Sequence, residues 1–287
     1  MFLTALWTKA IRDVRWQLAG SMAIVLAFHW VRVWITSLFP IRQFQRLLNF
    51  IPDTFMPLLP VPKEQIATVA CRIAIAYDDP LPVMALVAWA IGRGSDAVSG
   101  ELGRGTLEMT LAQPVRRISV IGTQAIVTVL GAALIACSCW IGTYLGIQTV
   151  KLEEPVSPSL FIPAAVNAFA MTVFLAGLAT LVSSFDRFRA RTIGIMASFF
   201  AVELLIKVVG LVGPDLRWLL KCSFLTAYEP QWLIAYPQLA WSFGMPFRGD
   251  NWVWGGLSYQ CALVGLGTLF YALAIAHFCR RDLPAPL

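Results

Sequence analysis

Four ionisable side chains lie within long apolar runs, where a charged group is costly in lipid and is therefore a functional candidate. His29 and Arg32 are three positions apart in the first run, and Glu203 and Lys207 are four positions apart in the fifth. These side chains can line a polar path through a membrane. The alternative is structural: Glu203 and Lys207 pair along one helix, and Arg32 extends its charged end towards the membrane surface. The sequence leaves both interpretations open.

Residues that commonly carry catalysis or bind metals are few and poorly spaced. The two histidines, His29 and His277, lie near opposite ends of the chain. Cys137 and Cys139 are two positions apart, so on a helix they point about 200° apart and do not chelate one ion. The sequence has neither a Gly-x-Ser-x-Gly nucleophile motif nor a G-x-x-x-x-G-K-[ST] phosphate-binding loop. We therefore predict no catalytic, cofactor-binding or metal site, and no ATPase activity in this chain.

The composition is that of a membrane protein. Hydrophobic residues make up 58% of the 287 positions and charged residues only 13%, and the mean hydropathy is +0.71. Soluble domains usually have about 45–50% apolar and about 25% charged residues. A soluble fold of this length has no interior large enough for so much apolar surface. The six cysteines form no disulfide framework, although a bond between Cys71 and Cys222 remains open.

Six apolar stretches are long enough to cross a bilayer, which takes about 20 residues per helix. They lie near residues 18–39, 80–91, 118–149, 161–182, 192–212 and 256–278. The second stretch is short and is expected to continue towards Val98, and the third is too long for one span, so its first turns should project into water. The predicted fold is an all-α polytopic membrane protein with one transmembrane domain over residues 1–287.

The distribution of Lys and Arg predicts the orientation of these spans. With the N-terminus inside, the inner segments carry 12 cations and six acids, whereas the longer outer loops carry eight cations and nine acids. An arrangement with both termini inside is therefore favoured. It also accounts for the basic isoelectric point of about 9.2, so that nucleic-acid binding is not needed to explain it. We expect an integral, multi-pass protein of the plasma membrane, which in bacteria is the inner membrane.

Three segments outside the spans are predicted to be helical at the membrane surface. Residues 1–17 form a cytoplasmic amphipathic stretch. The outer loop 40–79 begins with an amphipathic run at Ile41, and the outer loop 213–255 is rich in tryptophan, which prefers the boundary between membrane and water. Its tryptophans are Trp218, Trp232, Trp241, Trp252 and Trp254. We expect interfacial helices in both outer loops, with plain connecting loops as the alternative.

The inner loop 99–117, between the second and third spans, has the pattern of a short capped helix. Thr106 is predicted to be the N-cap residue, and Glu108 in the first turn suits the positive end of the helix dipole. Leu107 and Leu111 are four positions apart and share one apolar face. Pro114 ends the helix. Such a helix, held by the ends of two spans, can fit a cleft on a partner and move together with the spans.

This loop resembles the first cytoplasmic loop of type-2 ABC-transporter permeases, whose pattern is roughly E-x-x-x-G-T-L-E-x-L-L-A-x-P-V-x-R. The matching positions are Glu101, Gly105, Thr106, Leu107, Glu108, Leu111, Ala112, Pro114, Val115 and Arg117. Thr110 departs from the family, which usually has an aliphatic residue there. Within the family, the chain resembles the subgroup that includes a nitrous-oxide-reductase maturation permease. The six-span layout covers the whole chain, but the specific motif covers about 19 residues.

The resemblance implies that the loop is a coupling helix that docks on a separate ABC ATPase subunit. Two permeases, as a homo- or heterodimer, would work with two ATPases, which bind ATP and Mg. Glu101 and Glu108 would meet basic residues of the ATPase, and Leu107 and Leu111 would fill its cleft. Arg116 and Arg117 would face acidic residues or lipid headgroups. The implied function is that of the permease subunit of an exporter.

Two other classes of protein remain as alternatives. A non-transporting membrane scaffold or assembly subunit has the same composition and differs in lacking an ATPase partner. An intramembrane enzyme needs a positioned base or a metal cage, and the two distant histidines do not supply one. The substrate is not encoded in any feature of the sequence, although the small number of charges within the spans slightly favours a hydrophobic cargo over a small ion.

Overall fold

A computed structural model describes residues 2–50, 52, 58–243, 247–248, 251–252 and 255–280. Most of these residues are helical. The helices are α1 (Phe2–Leu38), α2 (Ile41–Asn49), α3 (Lys63–Ile66), α4 (Val69–Asp78), α5 (Pro80–Ser95), α6 (Glu101–Gly103), α7 (Thr106–Leu111), α8 (Arg117–Thr149), α9 (Ile162–Phe185), α10 (Arg189–Val212), α11 (Pro230–Ala235), α12 (Pro237–Ala240) and α13 (Gly256–Arg280). A π-helical turn, Asp96–Gly100, connects α5 to α6. A short antiparallel pair, β1 (Phe247–Arg248) and β2 (Asn251–Trp252), precedes α13.

Among the described residues, six helical segments are long and apolar enough to cross a membrane, as predicted. They are Thr4–Leu38, Val69–Gly103, Arg117–Thr149, Pro158–Phe185, Arg189–Val212 and Gly256–Arg280. Two of the helical segments extend beyond the predicted spans. The N-terminal stretch is continuous with the first span in α1, and the helical segment of the second span begins at Val69 in α4, within the predicted outer loop 40–79.

The fourth span lies at the centre of the bundle. Most of the α9 side chains are buried, and α5, α8 and α13 pack around it. The contact with α13 is close because Gly177 and Gly267 face each other: a Cβ on Gly177 would lie 2.3 Å from the backbone oxygen of Gly267. Small residues at helix crossings let backbones approach in this way.

Gly142 and Gly146 let the third span pack closely against the first. A Cβ on Gly142 would lie 2.4 Å from the backbone oxygen of Leu26, and one on Gly146 would lie 2.6 Å from Cβ of Val33. These two glycines therefore face a helix of the same chain.

The two outer loops pack on each other and form a cap over one end of the bundle. Leu48 of α2 and Ile66 of α3 share a small core with Trp232 and Leu233 of α11. Trp232 is buried there by protein, whereas the sequence predicted its ring at the membrane boundary. Trp218 and Trp241 are more than half exposed. Trp254 lies outside the described residues, as does the side chain of Trp252.

The opposite end of the bundle brings together the segments that the charge pattern assigned to the inside. Val98, Leu107 and Val120 form a core with Phe278 near the end of α13, and Leu6 near the start of α1 packs against it. The N-terminal segment, the 99–117 loop and the end of the last span thus lie on the same side of the molecule, as a six-span topology requires.

All six cysteines are free. Cys71 is buried and Cys222 is exposed, so the disulfide that the sequence left open is not formed. Cys137 is exposed whereas Cys139 is buried, in agreement with their predicted placement on opposite sides of the helix. Among the described residues, no group of three or more His, Cys, Asp or Glu side chains is suited to hold a metal ion.

Candidate functional site

The inner loop between the second and third spans is built from three short helical pieces. The π-helical turn Asp96–Gly100 leads into α6, and Gly105 then reverses the chain with a φ of 70°. Such a left-handed conformation favours glycine, because it costs other residues a clash with their Cβ atom. The six-residue helix α7 (Thr106–Leu111) comes next, and α8 begins at Arg117. The predicted short helix is therefore present.

The capping residue of this helix differs from the prediction. Gly105 occupies the N-cap position, and no side chain caps the helix. Thr106 is the first helical residue, and its hydroxyl donates backwards to the backbone oxygen and to Oε2 of Glu101. The threonine fastens α7 to α6 instead of satisfying a free N–H of α7. Glu108 lies in the first turn, as predicted.

Glu101 is a buried anchor of the loop and not a surface contact. Its Oε2 lies 2.8 Å from Nζ of Lys9 on α1, and its Oε1 lies 3.3 Å from Arg104. Only 4% of Glu101 is exposed. Lys9, Arg104 and Thr106 of its own chain surround the carboxylate, so Glu101 already has basic partners, and its expected contact with an ATPase stays a prediction.

A second buried carboxylate, Asp96, binds an arginine within the loop and ties the loop to two other elements. It lies 2.7 Å from Arg104, 3.4 Å from Arg93 of α5 and 3.4 Å from Arg189 at the start of α10. Arg93 in turn donates to Gln124 of α8 at 2.6 Å. The hydrogen bond to Asp96 raises the pKa of Arg104, so that this arginine keeps its charge. The network was not predicted from the sequence, because two of its members, Gln124 and Arg189, come from other spans.

The two faces of α7 have opposite surroundings. Leu107 is 1% exposed and belongs to the inner core, with Leu111 packed against that core. Leu107 therefore packs within its own chain, and its expected contact with a partner's cleft stays a prediction. Met109 is 67% exposed. The exposure of Met109 could have been predicted from the sequence. Met109 is two positions from Leu107, and residues two apart on a helix point in nearly opposite directions.

The other predicted residues of the loop lie at its surface. Ala112, Gln113 and Pro114 are exposed between α7 and α8. Arg116 is exposed, and Glu108 and Arg117 are partly exposed. The outward side of the loop therefore presents one large apolar side chain, Met109, among small, polar and charged groups.

The residues proposed for a membrane path are all held by contacts within the chain. His29 is fully buried, donates from Nδ1 to the backbone oxygen of Val25 at 2.9 Å, and packs edge-on against the ring of Tyr77. Arg32 lies 3.0 Å from Asp79 at the outer end of the second span. Arg32 thus reaches towards a surface, as the structural alternative expected, and is paired there.

Glu203 and Lys207 have other partners than the one along the helix that the structural alternative gave them. Lys207 Nζ lies 2.8 Å from Glu229 and donates to the backbone oxygens of Leu225 and Tyr228. Glu203 accepts from the backbone N–H of Phe224 at 3.2 Å. Both side chains of α10 therefore hold the outer 224–229 segment and not each other. The i, i+4 spacing brings the two side chains close enough to pair. Backbone N–H and C=O groups of the 224–229 segment bind the same charged groups instead.

A tyrosine connects the two candidate pairs. Tyr228, whose backbone oxygen binds Lys207, donates its hydroxyl to the backbone oxygen of Tyr77, which packs on His29. Burial raises the pKa of Tyr228, so the phenol stays protonated and keeps this bond. The four path residues thus belong to one connected group of polar contacts in the outer half of a single chain.

Comparison with known proteins agrees with this architecture. The model of the family described as "ABC-2 family transporter protein" matches residues 8–283, which include the 99–117 loop and all six spans except the first four residues of the first one. No curated protein matches the chain. The match identifies the family, and the resemblance to one subgroup stays a prediction. With six membrane-spanning helices and a family match over nearly its whole length, the chain belongs to the ABC-2 family of transporter permeases and is an integral, multi-pass membrane component of an ABC transporter.

Proposed function

We propose that this permease is the membrane subunit of an exporter that is driven by a separate ABC ATPase docked on the 99–117 loop. The observation that supports this most directly is the outward face of α7. It is a short helix at the inner end of the bundle, with Met109 exposed and its opposite face fixed to the permease core. A partner that binds there acts on a rigidly held element and not on a flexible loop.

The docking face consists of Met109 with Ala112, Gln113 and Pro114 beside it, and Glu108, Arg116 and Arg117 provide its charges. A single large apolar side chain surrounded by polar groups is the usual composition of an interface centre and its rim. Glu108 is expected to meet basic residues of the ATPase. Arg116 and Arg117 are expected to face its acidic residues or lipid headgroups.

The loop is connected to the rest of the bundle through charges. Glu101 joins it to α1, and Asp96 joins it to α5 and α10. Pushing or pulling α7 therefore moves the inner ends of several spans at once. This is the property that a transporter needs if ATP binding in one subunit is to rearrange the membrane helices of another.

The remaining parts of the proposal rest on membership of the family. ATP and Mg bind to the ATPase partner, and the permease itself needs no cofactor. Two permease copies, identical or related, assemble with two ATPases. The direction of transport is outward, and the substrate is left unassigned.

Charge reversal at Glu108 tests the docking site. Affinity purification of the detergent-solubilised wild type from its native membrane should retain an ABC ATPase, and Glu108→Lys should retain about tenfold less, because a rim charge that faces basic groups becomes repulsive. Glu154→Lys is the matched control, since Glu154 is an exposed glutamate in the outer 150–157 segment. It should retain the ATPase as the wild type does.

Two outcomes would count against the proposal. Equal retention by Glu108→Lys and the wild type would remove the loop as the docking site. If no ATPase is retained by the wild type under mild conditions, the chain is better described as a non-transporting scaffold or assembly subunit.

A further inference from the structure

The second span carries an irregular turn where it approaches the docking loop, and a side chain of another span is inserted into it. Residues Asp96–Gly100 are π-helical. The hydroxyl of Ser183, on α9, accepts from the backbone N–H of Ser99 at 2.8 Å and donates to the backbone oxygen of Ser95 at 3.1 Å. In a regular α-helix these two backbone groups would bond to each other, because they are four residues apart.

The insertion is deep in the protein. Ser95, Ser99 and Ser183 are all 0% exposed. A short serine side chain reaches the ladder of a neighbouring helix only where the two backbones are close, and Gly94 provides that approach: a Cβ at this position would lie 2.4 Å from Cβ of Ala179. A side chain inserted into the hydrogen-bond ladder is a recognised cause of local widening and bending of a helix.

The start of α10 holds the same turn from another side. Thr192 Oγ1 lies 3.2 Å from Ser99 Oγ, and Arg189 contacts Asp96 within the turn. The π-helical turn is therefore the point at which the fourth and fifth spans hold the segment that leads to α7. Isolated π turns within α-helices occur frequently at functional sites.

A second set of hydrogen bonds is available to the backbone and the serines of this turn. If Ser183 withdraws, the N–H of Ser99 can bond to the oxygen of Ser95. The Ser183 hydroxyl can then donate to the carbonyl four residues earlier on its own helix, as Thr172 and Thr180 of α9 already do. These backbone and hydroxyl groups are satisfied in both arrangements. The ion pair of Glu101 with Lys9 lies beyond the turn and would break when the α6–α7 segment rotates, so it favours the wide turn.

Closing the turn would reorient the docking loop. Changing one wide turn to an α-helical turn removes one residue from it and rotates the α6–α7 segment by about 100°. We propose that Ser183 is a positioning residue for coupling. In one nucleotide state its hydroxyl is inserted into the second span and keeps the turn wide. In the other state the hydroxyl withdraws and the turn closes. This inference rests on the proposed ATPase docking at α7. It adds the π-helical turn as the element through which a movement of α7 is transmitted to the fourth span.

State-dependent cross-linking tests the two arrangements. The hydroxyls of Ser99 and Ser183 are 3.0 Å apart, so cysteines at both positions should form a disulfide when the side chain is inserted. In the purified permease–ATPase complex, the yield of the Ser99→Cys/Ser183→Cys cross-link should differ about fivefold between nucleotide-free and ATP-analogue-bound samples. Each single variant, treated with the same oxidant and analysed by peptide mass spectrometry, corrects for bonds to native cysteines.

A second variant tests the inference even if the double cysteine variant does not fold. Ser183→Ala should keep the ATPase bound, but the effect of the permease on the rate of ATP hydrolysis should fall about fivefold. Ser138→Ala is the matched control, because Ser138 is an equally buried serine whose hydroxyl donates to Leu134 of its own helix. It should leave both quantities unchanged.

The results separate this inference from the proposed function. Equal cross-link yields in both nucleotide states, or unchanged hydrolysis in Ser183→Ala, would overturn the role of Ser183 while the docking of the ATPase still holds. Loss of ATPase retention in Ser183→Ala, with the protein folded, would make Ser183 part of the structure of the docking site instead. If the wild type binds no ATPase, both proposals fail.

Discussion

At the scale of single residues, Leu107 packs α7 against the permease core, and Met109 is the residue proposed to contact the ATPase. Leu107 belongs to the inner core, and Met109 projects from the opposite face. The same apolar chemistry therefore has different consequences at two neighbouring positions. Substitutions at these two residues separate stability from binding.

We expect Leu107→Ala to destabilise the permease by about 2–5 kcal/mol, the usual effect of deleting a buried leucine side chain. Met109→Asp should leave the melting temperature in detergent unchanged and reduce ATPase retention about tenfold, because it places a charge at the centre of the proposed interface. Thermal unfolding and affinity purification, run on both variants, measure the two effects. A large loss of stability in Met109→Asp would mean that this side chain is part of the core.

The sequence predicted the existence and position of α7 but not the partners of its residues. The Gly-Thr-Leu-Glu motif and Pro114 define where the helix begins and ends. The role of Glu101 could not be predicted, because its counter-ion Lys9 is far away in the sequence. Similarly, the spacing of Glu203 and Lys207 suggested a pair, whereas the structure gives Lys207 a different carboxylate, Glu229.

At the scale of helices, the packing of α8 on α1 depends on glycine. Gly142 leaves room for the backbone of Leu26, whereas Gly122 of the same helix has no atom within 4 Å of the position where a Cβ would lie. The two positions therefore form a matched pair for the same substitution.

Gly142→Ala should destabilise the protein by about 1–3 kcal/mol, because the added methyl group forces α1 and α8 apart. Gly122→Ala should be neutral or stabilising by up to about 1 kcal/mol, since alanine favours a helix over glycine. Thermal unfolding of the two variants in the same detergent measures the difference. Equal stabilities would show that the α1–α8 contact is loose enough to absorb a methyl group.

The start of the second span illustrates why some boundaries were not predictable. The α4 segment contains Arg72 and ends at Asp78, with Asp79 directly after it, so its composition is that of a loop. The structure accommodates Arg72 by directing its guanidinium to the backbone oxygens of Thr36 and Phe39 at the end of α1. Cations stabilise the C-terminal end of a helix in this way, and this contact becomes visible only when the two helices are seen side by side.

At the scale of the whole molecule, two native cysteines can report the orientation of the chain. Cys222 lies in an outer loop and Cys279 near the end of the last span, and both are exposed. A membrane-impermeant maleimide added to intact spheroplasts should label Cys222, and Cys279 should react only after permeabilisation. Cys137 and Cys261 are exposed within spans and should react slowly in lipid, where the reactive thiolate is disfavoured.

Labelling can be assigned to each cysteine by peptide mass spectrometry, and Cys222→Ser and Cys279→Ser serve as controls. Labelling of Cys279 in intact spheroplasts, with protection of Cys222, would reverse the orientation that the charge distribution predicts. It would also place α7 on the side of the membrane where no ATP is available.

The first two spans are fastened to each other at both ends, with a consequence for how they can move. Lys9 and Arg32 of the unbroken α1 bind Glu101 and Asp79 of the second span, and the two bridges are about 35 Å apart along α1. Helices joined at two distant points cannot slide past one another without breaking a bridge. Closing the π-helical turn would move Glu101 together with α6 and would break its bridge to Lys9. The two spans would therefore tilt together while the turn is wide and could slide independently once it has closed.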